Sequence, residues 1–372
     1  MEINLAEPGV LSDPFAAYGE ARELTRLVHL AAPGFGGMWA VTRYEDAKAL
    51  LTDPRVGLSD ASYLPAEIPD HCRRYMRTMQ QLEGDEHARI RRLVWPGFTP
   101  RRAQEFRPRI DAIVERLLTA LEGDTVDLVT RFAQPLPIDV ITELLDIPHE
   151  RRPAWREYGK AVAAGHGQAF YAAIPEIIDD ARLAVERGAF AELGGDGKLT
   201  TTDLVTLVWH LVLAGQTPAL LVANAVEALL THPDQLDLLR ADPALLPGAV
   251  EELTRWAGPQ LLTLPRHTRE EAEIAGTVVP AGEAVVVALA AVNRDPRAFA
   301  DPDRLDLTRA GGNQHLGYAY GPHFCLGAAF ARAQTEAAIG GLLRRFPGLA
   351  LVGAQRHPDP GAWRLHELVV RL

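Results

Sequence analysis

Cysteine is scarce in this sequence of 372 residues, in which only Cys72 and Cys325 occur. Two cysteines make no disulfide framework, which indicates a reducing compartment. A run of about 20 apolar residues is also lacking, so we expect no membrane span. The first 20 residues carry acidic residues and prolines where a signal peptide needs basic and then apolar ones. We therefore expect a cytoplasmic protein.

Basic residues are fewer than acidic ones, with 38 Lys and Arg against 49 Asp and Glu and a net charge of −11. This balance argues against nucleic acid as the main partner. Hydrophobic residues make up 47% of the chain, which is enough for a large buried core. Internal repeats, low-complexity tracts and a clean domain boundary are lacking. We predict a single domain over residues 1–372 and expect a monomer.

Helical patterns dominate the chain, and the β-rich segments between them are short. Helices are predicted over Arg101–Glu122 and Leu136–Leu145, where apolar residues recur with helical spacing. A strand is predicted over Met38–Tyr44, which follows two glycines. The fold class predicted from these patterns is mainly α with small β-sheets (α+β).

The longest apolar helical pattern covers Thr202–Leu230. It is hydrophobic nearly all round, which is typical of a buried central helix. Gly215 and Pro218 both disfavour a regular helix interior, and Pro218 removes a backbone hydrogen bond. The sequence therefore predicts a distorted turn over Leu213–Leu220, either as a helix that opens beside a ligand or as a packing kink.

One cysteine stands at a turn that leads into a helix, within the segment His315–Arg332. Gly321, Pro322 and Gly327 punctuate the approach and the exit around Cys325. A sulfur at a helix N-terminus meets free N–H groups and the positive end of the helix dipole, which favour the thiolate that ligates iron. The alternative is a buried cysteine that acts as a small hydrophobe.

Four residues fall on the pattern Phe-Gly-x-Gly-x-His-x-Cys-x-Gly, namely Gly321, His323, Cys325 and Gly327. This segment resembles the haem-binding loop of the cytochrome P450 family, with Tyr318 and Ala319 in place of the usual Phe and Gly. The resemblance extends from about Asp13 to Leu372. It implies the cytochrome P450 fold, a triangular prism of helices around a buried haem b, with Cys325 as the ligand of the haem iron and Tyr318 and Gly327 in the cofactor-binding loop.

His87 and Arg91 lie four residues apart and therefore share one face of a predicted helix. An ordinary solvated pair is the simplest interpretation of that spacing. The resemblance implies that both contact the haem propionates, and that Arg266 and His323 do so as well. Cationic or donor groups suit a pair of carboxylates.

Glu252 and Arg255 lie three residues apart on another predicted helix, where a surface ion pair would be the default interpretation. The resemblance implies instead a buried structural network of one glutamate and two arginines. In that network Arg304 is the second arginine, and Leu305 stands where phenylalanine is more usual.

The resemblance also assigns the distal oxygen-activation site to residues 214–218. Ala214 and Gly215 match the Ala-Gly pair of the family's central helix, but Thr217 stands at the position of the usual acid and Pro218 at that of the usual threonine. The proton relay that these two residues form in most of the family is therefore missing. Gln216 and Thr217 are the remaining candidates for ordering a water.

Three hypotheses explain the missing relay. The substrate donates its own hydroxyl or amine; or the oxidant is peroxide, although the arginine that accompanies proline in peroxide users is absent; or hydrogen abstraction leads to coupling or desaturation without oxygen insertion. We prefer the first or the third for a cytochrome P450 oxidoreductase of the monooxygenase type that acts on a natural-product intermediate. A non-catalytic haem-thiolate sensor is the alternative from another class.

The substrate is expected to be a medium-sized, partly polar organic molecule. Four segments are candidate walls of its site: Val56–Glu83, His210–Pro218, Leu261–Leu264 and Gly361–Arg364. Candidate contacts within them are His210, Gln216, Thr217, Leu261, Leu262 and Thr263.

No segment of this chain resembles a flavin or nicotinamide domain. The resemblance therefore implies an external electron donor, a small acidic ferredoxin or flavodoxin. Arg332, Arg344 and Arg345 follow the cysteine and are candidates for a basic docking face, although ordinary solvation of a helix explains them equally well.

Overall fold

The computed structural model describes residues 1–32, 36–58, 68–163, 168–194 and 197–372. The chain forms two compact units, each built from separated segments. The first, called the sheet unit, consists of Met1–Ser59, Asn224–Cys325 and Ala354–His366. The second, called the helical unit, consists of Asp60–Ala223, Leu326–Gly353 and Glu367–Leu372. Each unit needs distant parts of the chain, so no single cut in the sequence separates them.

Helices make up most of the structure. In chain order they are α1 (Pro8–Ser12), α2 (Pro14–Leu24), α3 (Tyr44–Thr52), α4 (Asp70–Arg73), α5 (Gly84–Val94), α6 (Pro100–Thr119), α7 (Pro135–Leu144), α8 (Arg152–Ala163), α9 (Gln168–Glu186), α10 (Ala191–Gly194), α11 (Thr201–Ala214), α12 (Thr217–Thr231), α13 (Pro233–Ala241), α14 (Leu246–Ala257), α15 (Leu289–Val292) and α16 (Ala328–Arg345).

The strands are short and form small sheets. They are β1 (Glu2–Asn4), β2 (Leu27–Ala32), β3 (Gly36–Val41), β4 (Val56–Leu58), β5 (Thr125–Asp127), β6 (Arg266–Thr268), β7 (Ala272–Ile274), β8 (Thr277–Val279), β9 (Ala284–Val287), β10 (Ala350–Arg356) and β11 (Leu365–Arg371). A three-stranded sheet has the order β10–β11–β5, and β7 pairs with β8. The predicted fold class, mainly α with small β-sheets, is confirmed.

Six strands of the sheet unit form one mixed sheet in the order β1–β2–β3–β9–β6–β4. Its inner strand β9 is parallel to β3 and antiparallel to β6. Val285 and Val287 join one core cluster with Val41, whereas Val286 joins another with Ala40. Successive residues of a strand face opposite sides, so β9 is buried on both faces and its sequence is a continuous apolar run.

The strand predicted over Met38–Tyr44 is present as β3, but it ends at Val41. Tyr44 begins α3 instead, and its N–H donates to Oδ2 of Asp295 at 2.9 Å. This carboxylate satisfies one of the free N–H groups of the first helical turn. The boundary is therefore set by a residue far away in the chain, which local sequence does not reveal.

The two helices predicted over Arg101–Glu122 and Leu136–Leu145 are present in the helical unit as α6 and α7. The rings of Phe106 on α6 and Phe330 on α16 lie 5.8 Å apart. Asp139 of α7 is buried, and its carboxylate accepts hydrogen bonds from Arg116 and Arg156. The pairing compensates for the desolvation of that carboxylate.

The predicted central helix is present in two parts, α11 and α12. Thr200 and Asp203 form a capping box at the start of α11, with bonds of 3.1 Å and 2.7 Å. The stretch Thr201–Thr231 is long and apolar enough to cross a membrane by length and composition alone. Of its most apolar window 56% is buried inside the protein.

Candidate haem site

Cys325 lies in a tight loop of the sheet unit, directly before α16. Its N–H donates to the carbonyl of Tyr318 at 2.8 Å, and the N–H of Phe324 donates to the carbonyl of Gly321 at 3.0 Å. The side chain of Cys325 is exposed, although free cysteines are usually buried. The interpretation of Cys325 as a buried packing residue is therefore wrong. The sulfur is presented at the start of a helix.

Two positive φ angles shape this loop. Gly321 has φ +73°, and a Cβ there would lie 2.7 Å from Cγ2 of Thr52 and 3.3 Å from the carbonyl oxygen of Leu51. Ala319 has φ +61°, in the left-handed region that a side chain disfavours. The haem-loop pattern has glycine, which adopts positive φ freely, at the position of Ala319, so this chain places a methyl group in a disfavoured backbone conformation.

The predicted propionate donors lie on two different elements and one loop. On α5 of the helical unit, His87 is buried and Arg91 half-buried, one turn apart. In the sheet unit, Arg266 is buried on β6, and His323 is half-buried two residues before Cys325. Imidazole and guanidinium groups are donors for carboxylates. These donors, like the exposed sulfur of Cys325, have the chemistry that a haem requires.

The glutamate–arginine network is buried within the sheet unit. Arg255 donates to both carboxylate oxygens of Glu252, at 2.7 Å and 2.8 Å. Arg309 donates from Nε to the same two oxygens, at 3.0 Å and 3.1 Å. Glu252 and Arg255 are 1% and 2% exposed, so an ordinary surface ion pair is excluded.

The prediction that Arg304 completes this network is wrong, because Arg309 does so. The side chain of Arg304 is exposed, and the residue contributes its backbone carbonyl, which accepts from Arg255 at 3.3 Å and from Arg309 at 2.9 Å. Arg309 also donates to the carbonyls of Ala300 and Asp301. The chain between the two arginines turns back, which brings the second of them onto Glu252.

The central helix is interrupted where its sequence predicted a distortion. α11 ends at Ala214, and α12 begins at Thr217. Gly215 caps α11, and its N–H donates to the carbonyl of Leu211 at 2.9 Å. Pro218 lies in the first turn of α12, where its missing N–H removes no intrahelical bond. The break therefore accommodates proline at little cost.

Of two polar side chains next to the break, one is hydrogen-bonded, and the other has a buried nitrogen for which the described residues provide no hydrogen bond. The Thr217 hydroxyl donates to the carbonyl of Ala214 at 3.3 Å. Gln216 is 6% exposed, and its Nε2 is buried without a hydrogen-bond partner in the part of the chain that the structure describes. A buried, unsatisfied amide costs free energy unless water or a ligand bonds to it. Gln216 therefore favours a bound water or ligand at this turn.

His210 lies on α11, one turn before Ala214. Its Nδ1 is buried and has no hydrogen-bond partner among residues 1–32, 36–58, 68–163, 168–194 and 197–372. Burial lowers the pKa of His210 to about 4. The imidazole is therefore neutral near pH 7 and suits an uncharged hydroxyl or amide group better than a carboxylate.

Two of the predicted walls are bonded to each other within the sheet unit. Gln260 and Ala362 form a β-bridge, and the N–H of Leu261 donates to the carbonyl of Gly361 at 3.0 Å. Leu261 is buried in a core cluster, Leu262 packs against the same cluster, and both Leu262 and Thr263 are half-buried.

Residues 59–67 of the predicted wall Val56–Glu83 lie outside the described residues. The remainder of that segment contains β4, α4 and the 3-10 turn Met79–Gln81. A capping box between Thr78 and Gln81 closes this turn, with the N–H of Thr78 donating to Oε1 of Gln81 at 2.9 Å.

Comparison with known proteins agrees with this fold. The family model described as Cytochrome P450 matches residues 239–360. Cytochrome P450 107B1 of Saccharopolyspora erythraea is 39% identical over 358 residues, which cover 89% of this chain and 86% of the relative. The monooxygenase PikC of Streptomyces venezuelae is 36% identical over 91% of this chain and 85% of its own length.

Solved structures show the same similarity. The epothilone B-bound cytochrome P450epoK has a TM-score of 0.90 at 29% identity and covers 100% of this chain and 99% of its own. The ligand-free P450 monooxygenase TamI has a TM-score of 0.89 at 33% identity, with 100% and 94% covered. The chain has the cytochrome P450 fold and is a haem protein. It belongs to the cytochrome P450 family, as a P450 monooxygenase of the bacterial kind.

Two contributors to these sites escaped sequence reasoning. Arg309 stands five residues after Arg304, and spacing alone does not distinguish which of them reaches Glu252. Asn224 is 1% exposed on α12 and bonds to two backbone carbonyls. Its signal is visible afterwards, because an amide side chain in an otherwise apolar helical run needs buried partners.

Proposed function

We propose that this chain holds haem b through Cys325 and oxidises a small organic molecule from a natural-product pathway. His87, Arg91, Arg266 and His323 would bind the two propionates. The observations that support this are an exposed cysteine just before a helix start and two buried donors, His87 on α5 and Arg266 on β6. When bound, a haem with a thiolate ligand supplies the oxygen chemistry, because the thiolate favours O–O cleavage.

The protein's own contribution on the proximal side is to hold the sulfur in place. The bond from the Cys325 N–H to the Tyr318 carbonyl fixes the loop, and α16 begins three residues after the sulfur. The N–H groups of that first helical turn favour negative charge on the sulfur. Tyr318 and Gly327 would contact the haem edge from the same loop.

The distal side carries the distinctive part of the proposal, which is substrate-assisted proton delivery. The single observation behind it is the break between α11 and α12, where Pro218 lacks a hydroxyl and the Thr217 hydroxyl donates to Ala214. With that proton engaged, a hydroxyl or amine of the substrate would deliver protons in its place. Gln216, whose Nε2 is buried and unpartnered in the described chain, would hold the water through which they pass.

Pro218→Thr tests this distal proposal in the haem-loaded enzyme. The measurement is product formed per electron consumed with a ferredoxin system, for a substrate and for its analogue without the hydroxyl or amine. We expect the natural enzyme to lose coupling with the analogue, and Pro218→Thr to recover part of it. Equal coupling for all four combinations would contradict substrate assistance.

A second candidate is peroxide as the oxidant, which Pro218 itself favours. Turnover with hydrogen peroxide and no reductase, faster than with the ferredoxin system, would establish it. Hydrogen abstraction that ends in coupling or desaturation fits the same site, and a product without the labelled atom from ¹⁸O₂ would identify it. A non-catalytic haem-thiolate sensor would bind carbon monoxide but turn over with neither system.

The natural-product assignment is supported by the names of the relatives. They include 6-deoxyerythronolide B hydroxylase, mycinamicin IV hydroxylase/epoxidase and pentalenic acid synthase. In this chain, neutral His210 would bond to an uncharged oxygen-bearing group, while Leu262 and Thr263 would line the site. The Thr263 hydroxyl accepts from the N–H of Val287 at 2.9 Å, so its own proton is available for a substrate oxygen.

The electron donor would be an external ferredoxin or flavodoxin acting on a monomeric, cytoplasmic enzyme. Arg344 and Arg345 are exposed at the end of α16, and Arg332 lies one helical turn after Ala328. Arg345 forms a 3.3 Å ion pair with Glu115, which exposure makes weak and exchangeable. Electron-transfer rates that fall with salt and in Arg344→Gln would support docking at this helix end.

A further inference from the structure

A buried polar network in the sheet unit ties the second wall, Gly361–Arg364, to α12. Asn224 is its centre and is 1% exposed. Its Nδ2 donates to the carbonyls of Trp363 at 2.7 Å and Ala257 at 3.1 Å. Its Oδ1 accepts from Nη1 of Arg356 at 3.1 Å. Both polar atoms of the side chain are therefore hydrogen-bonded, and the bonds reach three separate positions in the chain.

Arg356 extends this network. Its guanidinium bonds to the carboxylate of Glu227, one turn after Asn224 on α12. The same group lies over the ring of Trp363, 3.8 Å from the ring centroid. Both side chains of the ion pair are mostly buried, at 22% and 18% exposed, where charge pairing and cation–π contact are stronger than at the surface.

The turn that carries the second wall is built independently of this network. Oδ1 of Asp359 accepts from the N–H groups of Gly361 and Ala362 at 2.9 Å and 3.1 Å. Its other oxygen forms a 3.1 Å ion pair with Arg364. The turn therefore has its own shape, and the network acts on where it is placed.

The backbone of the first wall, Leu261–Leu264, is tied to that of the second, so the position of one depends on the other. The N–H of Leu261 donates to the carbonyl of Gly361 at 3.0 Å, and the N–H of Trp363 donates to the carbonyl of Pro259, two residues before the first wall, at 2.7 Å. Asn224 also holds Ala257, just before the first wall begins. One network therefore fixes both walls at once.

We propose that Asn224, Glu227 and Arg356 are positioning residues that set the separation and rigidity of these two walls, and thereby the substrate selectivity of the enzyme. The inference rests on the proposed function only in taking the two walls as part of the substrate site. None of these three side chains is among the residues proposed to hold haem. Changing them should therefore alter the selectivity for substrate shape and leave haem binding intact.

Arg356→Gln and Glu227→Gln test the network in two ways. The first is hydrogen exchange of the Leu261 and Trp363 amides, which we expect to become about tenfold faster as the walls open locally. The amides of Val285–Val287 in β9 should keep their rates. Unchanged exchange at the walls would overturn the proposal, and equal acceleration in β9 would reduce the network to general stability.

The second readout is azole binding to the haem-loaded protein, followed by its absorbance shift. Imidazole reaches the iron without filling the site, whereas the phenyl group of 4-phenylimidazole must fit between walls. We expect the variants to keep imidazole affinity and to bind 4-phenylimidazole several-fold more weakly. An unchanged ratio of the two affinities would contradict the selectivity role.

Arg101→Gln is the matched control, because it breaks the exposed pair of Arg101 with Glu105 and should change neither readout. Glu227→Gln keeps side-chain volume and serves if Arg356→Gln fails to fold. Failure of the proposed function is distinguishable, because a protein without a thiolate-type carbon monoxide spectrum would still report the network through hydrogen exchange.

Discussion

The Nε–H of Arg309 donates to both carboxylate oxygens of Glu252, with N–O distances of 3.0 Å and 3.1 Å. Arg255 occupies the other side of the same carboxylate, at 2.7 Å and 2.8 Å. The buried carboxylate of Glu252 thus has two cationic partners, and it also accepts a hydrogen bond from the N–H of Asp306 at 3.1 Å. Glu252 thus joins α14 to the segment 300–309, close in sequence to the cysteine loop.

Arg309→Leu is expected to destabilise the protein strongly, by about 3–5 kcal/mol, because it removes one partner of a buried charge pair. Arg304→Leu should change stability by less than about 0.5 kcal/mol, since that side chain is exposed and only its backbone carbonyl is used. Urea unfolding and the yield of haem-loaded protein measure both. Equal losses in the two variants would show that Arg304 belongs to the network after all.

Sequence reasoning identified the main helices, strands and loops but not the long-range contacts that complete them. The loop of Cys325 and the break after Ala214 could be predicted, because glycine and proline restrict or free the backbone locally. Arg309 and the end of β3 could not, since each depends on a partner more than 50 residues away, Glu252 or Asp295. The contacts that complete a site join residues far apart in the chain, and the distances between such residues cannot be read from a single sequence.

Ala319 shows the same limit from the opposite direction. The sequence shows that alanine replaces glycine here, but it does not show what the replacement costs in stability. The loop could have moved Ala319 to a negative φ angle, which would remove the strain. The structure keeps φ at +61°. What a substitution costs therefore depends on a backbone angle that composition does not report.

Ala319→Gly should stabilise the protein by about 0.5–1 kcal/mol, because relief of left-handed strain exceeds the added freedom of the unfolded chain. Ala112→Gly, at an exposed position inside α6, should cost about 1 kcal/mol, since glycine weakens a regular helix. Urea unfolding of the two variants gives the comparison. A loss of stability in both would mean that Ala319 bears no strain.

His210 should make stability depend on pH between about 6.5 and 4. Burial lowers its pKa in the folded protein to about 4 from 6.5, so below pH 6.5 the unfolded chain binds a proton that the folded chain does not. Stability from the neutral imidazole is present above pH 6.5 and decreases as the pH falls, by up to about 3 kcal/mol at pH 4.

His210→Leu removes this dependence, and His366→Leu, at an exposed position, controls for the loss of an imidazole elsewhere. The measurement is the free energy of unfolding from pH 7 to pH 4. We expect the difference between the natural protein and His210→Leu to change steadily across that range. Parallel curves would contradict a neutral, buried His210.

Gly215 closes α11 with almost no room for a side chain. A Cβ there would lie 2.3 Å from the carbonyl oxygen of Leu211 and 2.6 Å from Cδ1 of Ile141. The backbone, at φ −76° and ψ −3°, is one that alanine adopts freely, so the obstacle is space alone. Gly215→Ala should therefore cost about 1–3 kcal/mol through overpacking.

Gly248 provides the opposite case inside α14, where a Cβ would meet no atom within 4 Å. Gly248→Ala should stabilise the protein by about 0.5–1 kcal/mol, because alanine favours a helix and restricts the unfolded chain. Opposite signs for the same substitution, measured by urea unfolding, would establish that close packing at the end of α11 holds the turn before Pro218. A stabilising Gly215→Ala would mean that α7 and α11 separate easily, and the turn would then be a soft hinge.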